Sequence, residues 1–184
     1  MTVEHTAIAG LYVVTWDTHG DERGFFRQTY QLSELAEVLG EQPILRQGNH
    51  SRSARGVLRG FHAEPWDKFV YVARGTVVCA VADIRPTSPT FGDVATFTLG
   101  DPPGRRVRLF VQDGLANAFC TVTEADFLYD VTAEWDPTAD KRAVAWNDPD
   151  LAVPWPLEEP VVSAADRANP TLRARFPEHP RWRA

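Results

Sequence analysis

Apolar and polar residues alternate in short runs along most of the chain, and Gly, Pro and Asp separate these runs. Ten runs show the two-residue period: GLYVVTW, GFFRQTY, ILRQGNHS, GVLRGFHA, KFVYVA, TVVCAVADI, VATFTL, RVRLFV, NAFCTV and DFLYDVTAEW. Such runs between turn-forming residues are typical of β-strands. Long helical patterns between them, which would indicate a parallel α/β sheet, are absent. The pattern therefore predicts an all-β sandwich or barrel.

One segment, YQLSELAEVLG, has helical spacing instead, with Leu32, Leu35 and Leu39 on one face and Gly40 placed to end the helix. After about residue 156 the alternation stops, and the chain becomes rich in Pro and Arg. We expect a single domain over residues 1–184, with a β body at about 8–156 and a loop-and-helix tail, 157–184, packed on it.

Charge and targeting signals narrow the class of protein. The 184-residue chain has a formal net charge of -6, whereas a nucleic-acid binder normally carries a basic face, so we expect no nucleic-acid partner. The first residues lack a basic region, and their apolar run is too short for a signal peptide or a membrane span. We therefore expect a cytoplasmic protein without membrane contact. Cys79 and Cys120 lie in strand-like runs without CxxC spacing, which predicts buried free thiols.

A histidine interrupts the run GVLRGFHA. Regular alternation would place Leu58, Gly60 and His62 on one face of the strand and Arg59 on the other. A glycine inside a strand indicates close approach of a ligand or backbone, and here it would clear room beside the imidazole. A strand histidine of this kind is either a packed structural group or a catalytic base.

Two further strands carry groups with the same ambiguity. Lys68 would share a strand face with Val70 and Val72. If that face is turned inward, the ammonium group would meet an anion or a developing negative charge. If Lys68 lies at a strand edge, its side chain would reach water. Tyr129 shares a face with Phe127, and its hydroxyl is either a satisfied packing group or a proton donor.

Other polar residues also permit two interpretations. In SAAD, Ser163 and Asp166 match a helix capping box, which would make Asp166 structural. Arg23 and Arg59 either clamp a phosphate or are solvated charges. His62 and Glu64 share a strand face, but an HxH pair is missing and no histidine lies between His62 and His179, so we expect no metal.

Seven strings in order carry a resemblance to a known family: GDERGFF, RQGNHSRSARGVLRGFH, DKFVYVARGTV, VADIRPTSPTFG, FLYDVTAEWDP, AWNDPDLAVPWP and SAAD. Together, from about Gly10 to Pro170, they resemble the dTDP-4-dehydrorhamnose 3,5-epimerase family of deoxysugar and rhamnose biosynthesis. The resemblance implies a cupin-like jelly roll that acts without metal or cofactor on a dTDP-4-keto-6-deoxyhexose. It also implies a homodimer whose N-terminal strands are exchanged between subunits.

The resemblance also assigns roles to residues. It implies His62 as the base, Asp166 as the acid that orients it, Lys68 as the enolate stabiliser and Tyr129 as the proton donor. It implies substrate contacts at Arg23, Phe26, Gln28, Gln47, Asn49, Arg59 and Asn117, with Arg23 and the nearby aromatic residues reaching into the partner subunit's site.

Three departures from the family pattern affect specificity. Asn117 and Gln28 stand where a histidine and a glutamate are common, and the connection AEPWD before Lys68 is short. Asparagine can donate a hydrogen bond but cannot carry a positive charge. Three alternatives therefore stay open: an epimerase acting at C3 alone, a catalytically silent protein that binds sugar nucleotides, and a metal-dependent cupin enzyme.

Overall fold

Two antiparallel β-sheets face each other in the computed structural model, which describes residues 2–101 and 106–183. All ten predicted runs form strands, and the all-β jelly-roll prediction is confirmed. In spatial order the six-stranded sheet consists of β1 (Thr2–His5), β2 (Leu11–Thr15), β10 (Arg108–Val111), β7 (Lys68–Arg74), β12 (Ala125–Val131) and β5 (Gln47–Ser53).

The second sheet lies across the core from the first. In spatial order it consists of β13 (Arg142–Ala143), β6 (Val57–Ala63), β11 (Leu115–Thr121), β8 (Thr76–Asp83) and β9 (Val94–Gly100), and β14 (Val161–Val162) pairs in parallel with β6. Strands β3 (Thr18–Asp21) and β4 (Gly24–Arg27) form a separate antiparallel hairpin. The helices are α1 (Leu32–Leu39), α2 (Ala164–Arg167), α3 (Leu172–Arg175) and a 3-10 turn at Pro180–Arg183.

The core fills the space between the inner faces of the two sheets. Val70 and Val72 of β7 pack there against Val81 of β8, as the alternation of these strands requires. Phe119 and Phe127 come from opposite sheets, and their rings stack with centroids 4.1 Å apart. Burial of this apolar surface is the main force that holds the sheets together.

Helices and the C-terminal segment cover the outer faces. On the six-stranded sheet, Leu35 of α1 is buried against Phe69 and Phe110. The helix ends where the spacing predicted, because Gly40 adopts φ +81° and its N–H donates to the Ala36 carbonyl at 2.9 Å. On the other sheet, Phe61 packs outward with Leu172 of α3.

Strand β6 contains an irregularity that decides which side chains face inward. Asn117 of β11 pairs with His62, but Phe119 pairs with Arg59, so three residues of β6 span the length of two in β11. This β-bulge reverses the alternation, and Arg59 and His62 both point to the inner face. The expectation that Leu58 shares a face with His62 is wrong, because Leu58 packs outward against Val162.

Gly60 lies within this bulge and does not clear room for a ligand, contrary to the expectation from sequence. It adopts φ +123°, and a Cβ added there would lie 2.5 Å from the Ala118 Cβ and 2.7 Å from the Asn117 carbonyl oxygen. The glycine therefore permits close approach of the β11 backbone.

Cys79 and Cys120 are both buried and free, as predicted. In the part of the chain that the structure describes, no helix has the length and apolar character needed to cross a bilayer.

Candidate active site

A cavity of about 180 Å³ opens between the two sheets. It brings together five of the predicted site residues, which are Arg59, His62, Lys68, Asn117 and Tyr129. Ser51, Glu64, Phe119 and Phe127 complete its lining. The phenylalanines provide an apolar floor, and the polar groups converge above it, as in many small-molecule sites.

His62 forms a close pair with Asp166 at one side of the cavity. Its Nε2 lies 2.6 Å from the Asp166 Oδ1. The Asp166 side chain is 9% exposed and that of His62 is 40% exposed, so the carboxylate lies behind the imidazole. The other ring nitrogen, Nδ1, has no hydrogen-bond partner among the described residues and is free for a ligand. Such a pair fixes the orientation of an imidazole and stabilises its charged form.

The position of Asp166 depends on two local features. Strand β14 pairs with β6, which brings the start of α2 beside His62. Ser163 is the N-cap of α2, and its Oγ accepts a hydrogen bond from the Asp166 N–H at 3.0 Å. The capping interpretation is thus correct for Ser163 and the backbone N–H of Asp166. It is wrong for the Asp166 carboxylate, which contacts His62 instead.

Lys68 points into the cavity and is buried, so the alternative in which it reaches water from a strand edge is wrong. Its Nζ donates to the Asn117 Oδ1 at 2.7 Å and to the His62 carbonyl at 3.1 Å, and it forms an ion pair with Glu64. Burial lowers the pKa of Lys68, and the charge of Glu64 acts in the opposite direction.

Tyr129 lies on β12 opposite Val70 and Asn49, and its side chain faces the same cavity. Burial and the nearby charge of Glu64 raise the pKa of the phenol, and Arg59 partly offsets them. Its hydroxyl has no hydrogen-bond partner among the described residues. A phenol that keeps its proton and has an unused donor can supply that proton to a bound ligand.

The inner side of β5 carries a row of polar residues at the edge of the sheet. Gln47 donates to the Asn49 Oδ1 at 2.7 Å and accepts from the Trp135 N–H at 2.8 Å. Asn49 lies opposite Tyr129, so these amides share the cavity face. Arg59 donates to the Ser53 Oγ at 3.1 Å through Nε alone, which leaves the rest of its guanidinium for a ligand.

Three predicted residues do not reach this cavity within one chain: Arg23, Phe26 and Gln28. They lie on or beside the β3–β4 hairpin and line other depressions of the surface. Arg23 pairs with Asp21, and Gln28 donates to Gln31 at 3.2 Å. Phe26 is 71% exposed.

Sequence reasoning missed two polar members of the cavity, Glu64 and Ser51. Glu64 was considered only as a possible metal ligand, and no local pattern indicated its ion pair with Lys68, because the connection between β6 and β7 brings the two side chains together. Ser51 continues the row begun by Gln47 and Asn49, and strand alternation could have identified it. Across residues 2–101 and 106–183, no three His, Cys, Asp or Glu side chains are arranged to hold a metal ion.

Fold and cavity together define a cupin-like barrel equipped for acid–base chemistry on a small ligand. The family model for dTDP-4-dehydrorhamnose 3,5-epimerase matches residues 5–174. The chain belongs to this family, which confirms the resemblance.

Individual relatives support the same assignment. The chain is 39% identical to dTDP-4-dehydrorhamnose 3,5-epimerase of Pseudomonas aeruginosa, covering 91% of this chain and 93% of the relative. It is 34% identical to dTDP-4-dehydrorhamnose 3-epimerase of Streptomyces niveus, covering 91% and 82%. The structure of dTDP-6-deoxy-D-glucose-3,5-epimerase from Legionella pneumophila, in complex with dTDP-4-keto-L-rhamnose, superposes with a TM-score of 0.85 at 34% identity over 94% of this chain and 93% of that one.

Proposed function

We propose that this chain epimerises dTDP-4-dehydro-6-deoxy-D-glucose at C3 and C5, through proton abstraction and return. One observation carries the proposal beyond family membership. A His–Asp pair, a buried ammonium group and a phenol that keeps its proton surround one cavity. These are a base, an oxyanion stabiliser and an acid, which is the set of groups that the reaction needs.

The chemistry follows from the ketone at C4 of the sugar. The C3–H and C5–H bonds are acidic because the electron pair left by the proton moves onto the C4 oxygen. His62 would take the proton, and Asp166 would orient the imidazole and stabilise its charge. Lys68 would stabilise the enolate oxygen. Tyr129 would then give its proton to the opposite face of the carbon, and solvent would restore both groups. The ketone is itself the electron sink, so the mechanism calls for no cofactor.

The nucleotide would lie along the polar edge of the cavity. Arg59 has unpaired guanidinium N–H groups that suit a diphosphate, which this planar cation can bind in bidentate fashion. Gln47 and Asn49 offer amide groups on the same face, and Asn117 can donate a hydrogen bond to the sugar through its Nδ2.

We further propose a homodimer in which the hairpin of one subunit completes the site of the other. Arg23, Phe26 and Gln28 lie outside their own cavity, and Phe25 and Phe26 expose apolar surface. Strand β5 lies at the sheet edge beside the cavity and pairs, within the described residues, with β12 alone. The free edge of β5 can accept a strand of a second copy.

Deuterium incorporation tests the reaction. The substrate incubated with the enzyme in D2O should gain two deuterium atoms by mass, or one if C3 alone exchanges, as the Streptomyces niveus relative's name implies for that protein. Substitution of His62 by Ala should abolish exchange. His50→Ala is a matched control, because His50 pairs with Asp126 at 2.9 Å on the outer face and should be dispensable. Binding of dTDP with no exchange would contradict an epimerase and indicate a silent binding protein.

Complementation tests the dimer. Arg23→Ala and His62→Ala subunits should each be inactive alone. Statistical mixing would yield dimers with one intact site, and about a quarter of wild-type activity should return. A monomeric protein, or no recovery after mixing, would contradict the exchange of hairpins.

A further inference from the structure

The Lys68 ammonium group contacts three protein acceptors. It donates to the Asn117 Oδ1 at 2.7 Å and to the His62 carbonyl at 3.1 Å, and it forms an ion pair with the Glu64 carboxylate. Two of these acceptors are held by strands, because His62 lies in β6 and Asn117 in β11. Glu64 follows the last residue of β6 and belongs to the short connection to β7.

Glu64 brings a negative charge into a cavity whose proposed reaction creates another. Its side chain is 22% exposed and lines the cavity with Lys68 and Tyr129. A carboxylate placed there would oppose formation of an enolate unless its charge served a neighbouring group. Lys68 is that neighbour, since a buried ammonium group without a counter-ion would lose its proton.

We propose that Glu64 is a positioning residue of this site, which keeps Lys68 charged and directed at the position of the substrate's C4 oxygen. When the enolate forms, its oxygen replaces the Glu64 carboxylate as one acceptor of the ammonium group. Of the three partners of Lys68, Glu64 is the one that can move away from the ammonium group, because its backbone lies outside the strand ladders. The expected effect on the reaction rate rests on the proposed function. The expected charge state of Lys68 in the free protein does not depend on it.

The titration of Lys68 also depends on the other charged and titratable groups that face it. The titratable or charged groups around it are Arg59 and His62 from β6, Cys79 from β8, Tyr129 from β12 and, behind His62, Asp166 from α2. Burial lowers the pKa of Lys68, whereas Glu64 raises it by charge and by hydrogen bonding. Glu64 is the carboxylate in direct contact with the ammonium group.

The charge state of Lys68 can be measured without substrate. The chain contains two lysines, Lys68 and the exposed Lys141. Lysine labelled with ¹³C and ¹⁵N therefore gives two sets of side-chain signals, and Lys141 is the internal reference. In Glu64→Gln the Lys68 midpoint should fall by about one pH unit or more, because an adjacent opposite charge is lost while the shape is kept. An unchanged midpoint would overturn the proposal.

The rate of deuterium exchange tests the consequence. In Glu64→Gln the loss of activity at high pH should begin at a lower pH than in the wild type. Glu124→Gln removes the charge from an exposed pair with Arg74 at 3.9 Å, and it should alter neither the Lys68 signal nor the profile. A uniform loss of rate with an unshifted profile would contradict the proposal. If the wild type exchanges nothing, the proposed function fails, and the NMR titration still decides the role of Glu64.

Discussion

Replacement of Gly60 by Ala should damage both the fold and the site, because this glycine lies in the β-bulge that turns His62 and Arg59 inward. Gly60 adopts φ +123°, which is unfavourable for any residue with a Cβ. The new methyl group would lie 2.5 Å from the Ala118 Cβ and 2.6 Å from its Cα. Neither atom can turn away, because both belong to the neighbouring strand.

The cost can be worked from these two effects. A side chain in a sparsely populated backbone region costs about 1–3 kcal/mol. Forcing an extra methyl group into a packed interior costs about 1–3 kcal/mol more. The free energy of unfolding of Gly60→Ala should therefore fall by about 2–6 kcal/mol. For a chain of this length each kcal/mol lowers Tm by about 2–4 °C.

Gly40→Ala is the control. Gly40 also adopts a positive φ, +81°, but no atom lies within 4 Å of the position of its added Cβ, and it lies outside the β3–β4 hairpin. Urea unfolding of both variants should give the backbone cost alone for Gly40→Ala, and the backbone cost plus the contact cost for Gly60→Ala. Deuterium exchange should also be lost in Gly60→Ala, since His62 moves with the bulge. Equal destabilisation of the two variants would refute the reasoning that β11 requires a glycine here.

Further predictions concern groups with separate roles. Asp166→Asn keeps the backbone N–H that donates to Ser163, so Tm should stay unchanged while the rate of deuterium exchange falls by about 10²-fold or more. Ser163→Ala removes the helix cap and should lower the free energy of unfolding by about 1 kcal/mol. Cys79 should resist thiol reagents in the native protein and react after unfolding, because burial raises the pKa of the thiol to about 12. Burial acts to raise the pKa of Asp83, but bonds from Arg85 and from two hydroxyl groups lower it overall. The stabilisation by Asp83 should thus be present above about pH 4 and be lost in more acidic buffer, and in urea titrations Asp83→Asn should weaken this dependence.

Local periodicity was enough to predict most secondary structure. The spacing of Leu32, Leu35 and Leu39 and the final Gly40 predicted α1 with its boundary, because that helix depends on its own sequence and one apolar face. The runs of alternating residues predicted the larger strands for the same reason. Strand β3 was missed, since THGD has no apolar alternation and pairs only with its neighbour β4 in the described chain.

The candidate site was harder to predict because its contacts are long-range. The Ser163 cap was visible in four consecutive residues, but the partner of the Asp166 carboxylate lies 104 positions away in the chain. Burial of Lys68 depends on the second sheet, through Asn117, and no local pattern shows it. The family resemblance paired Asp166 with His62 and assigned Lys68 to the active site, whereas strand geometry left each residue with two interpretations. The contact between Lys68 and Asn117 was not predicted.

The bulge in β6 explains why regular alternation gave the wrong faces and why the site can exist. Arg59 and His62 are three positions apart, so a regular strand would direct one of them outward. The extra residue in β6 brings both to the inner face, and the short connection after Ala63 then returns the chain so that Lys68 reaches the His62 carbonyl. The proposed phosphate-binding cation, base and oxyanion stabiliser thus come from ten consecutive residues, 59–68. Loss of one residue from the bulge would turn Arg59 or His62 away from the cavity while leaving the hydrophobic composition of the strand nearly unchanged.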